Sequence, residues 1–130
     1  MRRRLAALCI DACVVAGFVI LGRDSHSEGE GIGGVAIVAA PFLIGLAVGW
    51  IASRNTLRPA GLQTGVIVWA STVVIGLALR EWAFQRPTPV LFILVAGTFL
   101  ALLLLGWRVI RGVARRISGR RGPASRLTAS

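Results

Sequence analysis

The sequence has no lysine, a single histidine, two cysteines and only five acidic residues, set against 15 arginines in 130 residues. Each scarcity removes a class of chemistry. One histidine and a lone cysteine pair do not make a metal cluster, so no metal and no cofactor is expected. There is no phosphate-cradling loop and no Ser-His-Asp arrangement with usable geometry, so the chain does not read as an enzyme. What it lacks most is a polar body. The net charge is +10, but the hydrophobic fraction is 55%. A nucleic-acid binder of that charge would carry a polar framework. Disorder requires low hydrophobicity, and a soluble domain this small buries too little of its surface to hide so much apolar area. A membrane protein with charged edges is left.

Four apolar runs are present: Leu5–Leu21, Ile32–Ala52, Leu62–Leu79 and Pro89–Trp107. At about 1.5 Å per helical residue, each covers most or all of a hydrocarbon layer of roughly 30 Å. Barrel strands would be shorter and would alternate polar with apolar. The runs are continuous, so the fold class is all-α integral membrane, with one four-helix domain over residues 1–118. Short connections make consecutive helices antiparallel neighbours.

Charge then sets the orientation. With both termini cytoplasmic, the inner face holds twelve arginines and no acid, while the outer face holds Arg23, Arg80 and Arg86 with four of the five acids. That asymmetry follows the positive-inside rule and excludes a dual-topology arrangement. The expected location is a bacterial inner (plasma) membrane. Arg2–Arg4 followed by an apolar run resembles a signal peptide, but neither Ala7–Cys9 nor Asp11–Cys13 forms a good lipoprotein cleavage site, so the segment is expected to be retained. Cys9 and Cys13 sit one helical turn apart and read as small apolar contact residues rather than a redox pair.

The chain also resembles itself. A shift of 57 residues aligns Leu5–Arg58 with Leu62–Arg115 without a gap and gives twelve identities in 54 positions. Among the matches are Arg23 with Arg80, Phe42 with Phe99, Gly49-Trp50 with Gly106-Trp107, and Arg54 with Arg111. The expectation is two parallel helical-hairpin repeats related by a pseudo-twofold axis along the membrane normal. Trp50, Trp107 and Arg108 are expected as interface anchors, since an indole is stable where it is half wet.

Between helices in lipid there is little hydrophobic drive, so small residues must let backbones approach. Pro41, Gly45 and Gly49 on the second span supply such a face, with Gly76 on the third. Asp11 is the one acid inside a span. It stands about 9 Å in from Leu5 at helical rise, where an unpaired carboxylate is costly. Gln63 and Thr64 lie at matching depth, and Arg54 or Arg108 can reach inward. Two readings stay open: a titrating site on a transport pathway, or a structural acid that fixes helix register. At the outer end, Arg23, Ser25, His26 and Arg80 form either salt bridges between the halves or a mouth for a polar ligand.

After Trp107 the helical pattern continues. Ile110, Ala114 and Ile117 share one face and Arg111 and Arg115 another, giving a basic amphipathic extension over 108–118. Its expected partner is anionic lipid at the cytoplasmic face. It lacks the aromatics that stack on bases, so no nucleic acid is expected. Residues 119–130 read as a disordered basic tail.

These motifs together resemble the domain-of-unknown-function 3054 family of small, mostly four-helix membrane proteins from actinobacteria and haloarchaea. The residues that carry the resemblance are Asp11, the G-R-x-S-H motif (Gly22, Arg23, Ser25, His26), Pro41-Phe42 with Gly45, Gly49-Trp50, Gly76 with Arg80, and Gly106-Trp107-Arg108. The family often has tryptophan before the proline, where this chain has Ala40. The resemblance implies a topology and no activity, and an actinobacterial source also suits the lysine-free composition. The function expected is small-solute or ion movement, with the pathway between protomers of a homo-oligomer because a single bundle fills its own core. The alternative is a non-transporting structural or accessory protein that organises lipids or a partner protein.

Overall fold

A backbone group without a hydrogen-bond partner is expensive in hydrocarbon, so an apolar run must satisfy its peptides internally. In the computed structural model all four runs do this as helices: α1 (Arg2–Asp24), α2 (Ile32–Ser53), α3 (Leu62–Trp82) and α4 (Val90–Gly119). The structure describes residues 2–24, 32–54, 58, 60–83, 85 and 88–120, and among them there is no strand. Each helix is long and apolar enough to cross a membrane.

The helices outrun the apolar segments, because helical hydrogen bonding continues past the end of an apolar stretch. α1 takes in Arg2–Arg4 at one end and Arg23 and Asp24 at the other. α4 is one unbroken helix of 30 residues, so the basic extension and the fourth span are the same element. Pro89 caps its start, where a missing N–H costs nothing. α2 runs through Pro41, which is buried. The tail expected from residue 119 starts later than that, since Gly119 still belongs to α4 and Arg120 is its C-cap; Ser25, His26 and residues 121–130 lie outside the described residues.

Each helix packs on two neighbours, α1 on α2, α2 on α3, α3 on α4 and α4 on α1, and among the described residues the backbones of the diagonal pairs do not approach each other. Neighbours run antiparallel. Asp11 near the start of α1 meets Trp50 near the end of α2, and Phe18 further along meets Phe42 further back. The first turn of α1, the end of α2, the start of α3 and the end of α4 therefore share one end of the bundle, the arginine-rich end.

The four seams are unequal. α2 and α3 make by far the closest pair. A Cβ built on Gly45 would stand 2.7 Å from the Ser71 carbonyl oxygen, and one on Gly49 would stand 2.8 Å from the Val68 Cα. A Cβ on Gly76 would meet the Phe42 ring at 2.6 Å. At Gly45 and Gly49 backbone therefore lies on backbone, and at Gly76 a ring lies on backbone, approaches that a Cβ would block. The α1–α4 seam is held instead by large side chains, among them Arg108, Trp107 and Phe99.

Candidate functional site

The site forms where α1, α2 and α4 converge near the arginine-rich end. Asp11 is fully buried, with 0% of its surface exposed. Its carboxylate accepts four hydrogen bonds. Arg108 Nη1 donates to Oδ1 at 2.8 Å and Nη2 to Oδ2 at 2.7 Å, a two-point fork. Trp107 Nε1 donates to Oδ1 at 2.9 Å and Trp50 Nε1 to Oδ2 at 3.0 Å. A carboxylate offers about four acceptor positions. Here each oxygen takes one guanidinium and one indole proton, so the charge is matched and the acceptors are filled.

Arg108 is itself 2% exposed. Its Nη1 also donates to the Leu104 carbonyl at 2.7 Å, one turn back on α4. Its guanidinium carbon lies 4.5 Å from the centroid of the Trp107 ring. The aliphatic stem crosses to α3, where Gly65 leaves room for it: a Cβ there would stand 2.7 Å from Arg108 Cδ. Gly65 thus seats the arginine on the wall opposite Asp11. Arginine suits this place because its planar fork matches a carboxylate and its weakly hydrated guanidinium tolerates burial better than an ammonium.

Of the residues expected beside Asp11, only Arg108 meets it. Gln63 is exposed on α3. Thr64 is buried, but its hydroxyl donates to the Arg58 carbonyl at 2.6 Å, tying the start of α3 to the preceding loop. Arg54 is exposed in the turn after α2. Trp50 and Trp107, expected as interface anchors, turn their indole N–H groups inward onto Asp11 rather than outward to headgroups. An unpaired buried carboxylate is costlier than an undisplayed interfacial indole, which accounts for the inward turn.

Phe18 stands two turns beyond Asp11 on the same side of α1, and pattern reading did not single it out. Its ring packs edge-on against Phe42 with centroids 5.6 Å apart, and tilted against Phe99 at 5.8 Å. Phe42 and Phe99 are the pair matched by the 57-residue shift, as are Trp50 and Trp107. α2 and α4 therefore present the same Phe-to-Trp spacing to the two sides of α1. The seven-residue interval from Asp11 to Phe18, beside the eight-residue interval from Phe to Trp, was the available signal.

Of the outer cluster, Arg80 is half-buried near the end of α3, its guanidinium carbon 4.4 Å from the Phe92 ring centroid. The Arg23 side chain and all of Ser25 and His26 lie outside the described residues. Two open apolar grooves run along α4 away from the core, one of them shared with α3, and Asp11 lines neither. In the second, the Trp69 indole donates to the Gly97 carbonyl at 2.9 Å. Among the described residues no group of histidine, cysteine, aspartate and glutamate could hold a metal ion.

The family described as "Protein of unknown function (DUF3054)" matches residues 8–111, a stretch that contains Asp11, both tryptophans and Arg108. No curated protein and no solved structure matches the chain.

Proposed function

The chain belongs to the DUF3054 family, and from that premise we propose that it is a structural or accessory membrane protein, organising lipids or a partner chain, rather than a carrier that moves solute through its own bundle. One observation carries this reading: Asp11, set inside the first span, is fully buried and accepts from four donors. A titrating carrier site must exchange protons with water on each side in turn. Asp11 is fully buried against Arg108, and parting the two would leave a charge in the core without its partner, which is strongly unfavourable. A locked pair of this kind fixes which helices meet and in what register.

The same reading places both termini in the cytoplasm of a bacterial cell, because the positive-inside rule puts the arginine-rich end there. It also treats the bundle as a duplicated hairpin. The convergence of Phe42 with Phe99 on Phe18, and of Trp50 with Trp107 on Asp11, supports that origin. The close α2–α3 seam against the side-chain-filled α1–α4 seam marks where the halves have diverged: α1 has Asp11 where α3 has Val68.

The test is reconstitution of the full chain into sealed vesicles carrying a pH-sensitive dye inside. Proton leak equal to that of protein-free vesicles is expected, with and without an imposed gradient. A gradient-driven flux that Asp11→Asn abolishes while the variant stays folded by circular dichroism would overturn the proposal in favour of transport.

A further inference from the structure

The end of α4 has two faces that continue two different parts of the spanning helix. Ala96, Leu100, Leu104 and Arg108 follow one another at four-residue steps and are all buried against the bundle. Arg111 and Arg115 prolong that stripe past the core. On the other side Leu91, Val95, Leu102, Val109, Val113 and Ile117 form one outward apolar stripe, with Val113 50% and Ile117 55% exposed. From Leu91 to Ile117 the stripe is about 39 Å long at helical rise. A hydrocarbon layer is roughly 30 Å thick. The stripe therefore outlasts the layer, and its last two turns belong at the boundary between acyl chains and headgroups.

We propose that α4 from Val109 to Gly119 is a docking surface for anionic phospholipids of the adjoining leaflet. Val113 and Ile117 dip into the acyl boundary, and Arg111, Arg115 and Arg116 hold the phosphates. The proposal rests on the reading that α4 crosses a bilayer. Charge complementarity selects the occupant. α4 contains no acid, and of the four helices it alone is strongly amphipathic. A second copy seated here would bring three arginines against their own kind. Guanidinium forks match phosphate oxygens, and their long stems let the charge rise to the headgroups while the stripe stays immersed.

The experiment uses the full chain with Cys9 and Cys13 replaced by alanine, a nitroxide label placed singly at 102, 112, 113, 116 or 117, and vesicles of phosphatidylcholine alone or mixed equally with phosphatidylglycerol. In the mixed vesicles, labels at 113 and 117 are expected to favour oxygen over a water-soluble relaxant, and labels at 112 and 116 the reverse. The combined variant Arg111→Gln, Arg115→Gln, Arg116→Gln is expected to lose preference for spin-labelled phosphatidylglycerol over phosphatidylcholine, by up to about fivefold per arginine. Three results overturn the proposal. The labels at 113 and 117 are as wet as those at 112 and 116, the triple variant keeps the lipid preference, or immersion appears only when an acidic soluble protein is added. The label at 102 separates this failure from that of the spanning reading, because it is wet only if α4 does not cross the bilayer.

Discussion

The guanidinium of Arg108 grips the carboxylate of Asp11 at two points, 2.8 and 2.7 Å, across 97 residues of sequence. The fork joins the first helix to the last, so it closes the ring of helices that the three loops leave open. The closing seam, α1 on α4, has no glycine-lined backbone approach comparable with that of α2 on α3. Polar pairing and ring contacts hold there what close backbone packing holds on the other side.

Removing one partner of the fork leaves the other buried and charged. Asp11→Asn and Arg108→Met are each expected to destabilise the bundle by about 3–5 kcal/mol. The double variant Asp11→Leu with Arg108→Met is expected to cost less than the two single changes added together. Thermal unfolding in detergent, run as a double-mutant cycle, measures the coupling. Additive effects would show that the pair does not act as a unit.

Arg108→Lys keeps the charge and loses the fork. Lysine can reach one oxygen as a point charge but cannot span both, and it does not fill the seat over Gly65 in the same way. The variant is expected to unfold at lower temperature than wild type and above Arg108→Met. A melting curve indistinguishable from wild type would mean that the two-point geometry contributes nothing.

Trp50→Phe and Trp107→Phe keep an aromatic ring and delete one N–H donor each. A hydrogen bond to a charged group is worth about 1.5–3 kcal/mol. Each variant is expected to lose stability on that scale, and neither is expected to change the depth at which the protein sits. If both instead leave stability untouched while shifting depth, as reported by quenching with lipids brominated at known positions, the indoles are interface anchors after all.

The glycines divide into two groups. Gly45→Ala puts a methyl against backbone atoms at 2.7 and 2.9 Å, whereas a Cβ on Gly97 or Gly106 meets nothing within 4 Å. Overpacking of this kind costs about 1–3 kcal/mol, so Gly45→Ala is expected to destabilise the bundle. Gly97→Ala and Gly106→Ala are expected to be neutral or slightly stabilising through helix propensity. Equal effects at the three positions, read by the same melting assay, would contradict the close α2–α3 seam.

Cys9 and Cys13 are free and exposed on α1, on the side turned away from the bundle. Maleimides react with the thiolate, which hydrocarbon does not support, so a membrane-permeant maleimide is expected to label both only slowly in reconstituted vesicles and readily once the protein is unfolded in detergent. A charged, impermeant maleimide is expected to label neither while the vesicles stay intact. Labelling by the impermeant reagent would place this face of α1 in water.

Much of this protein was determined by its sequence alone, for a reason peculiar to membranes. Backbone groups in hydrocarbon must bond within their own helix, so four apolar runs could become only four helices. Spacing of Gly45, Gly49 and Gly76 likewise marked small-residue faces before any neighbour was assigned. Asp11 was conspicuous because a buried charge must find a partner. Which partner it finds is a matter of helix placement, and no local pattern encodes that. Arg54 and Arg108 were equivalent candidates in one dimension; the seat over Gly65 on α3 and the position of α4 beside α1 decided for Arg108. The tryptophans show the limit most clearly. Their place at the ends of the runs predicted an interfacial role, yet rotation of α2 and α4 about their axes aimed both indoles at the same carboxylate. Rotation is set by packing against neighbours, so only the assembled bundle turned two tryptophans far apart in sequence into two halves of one site.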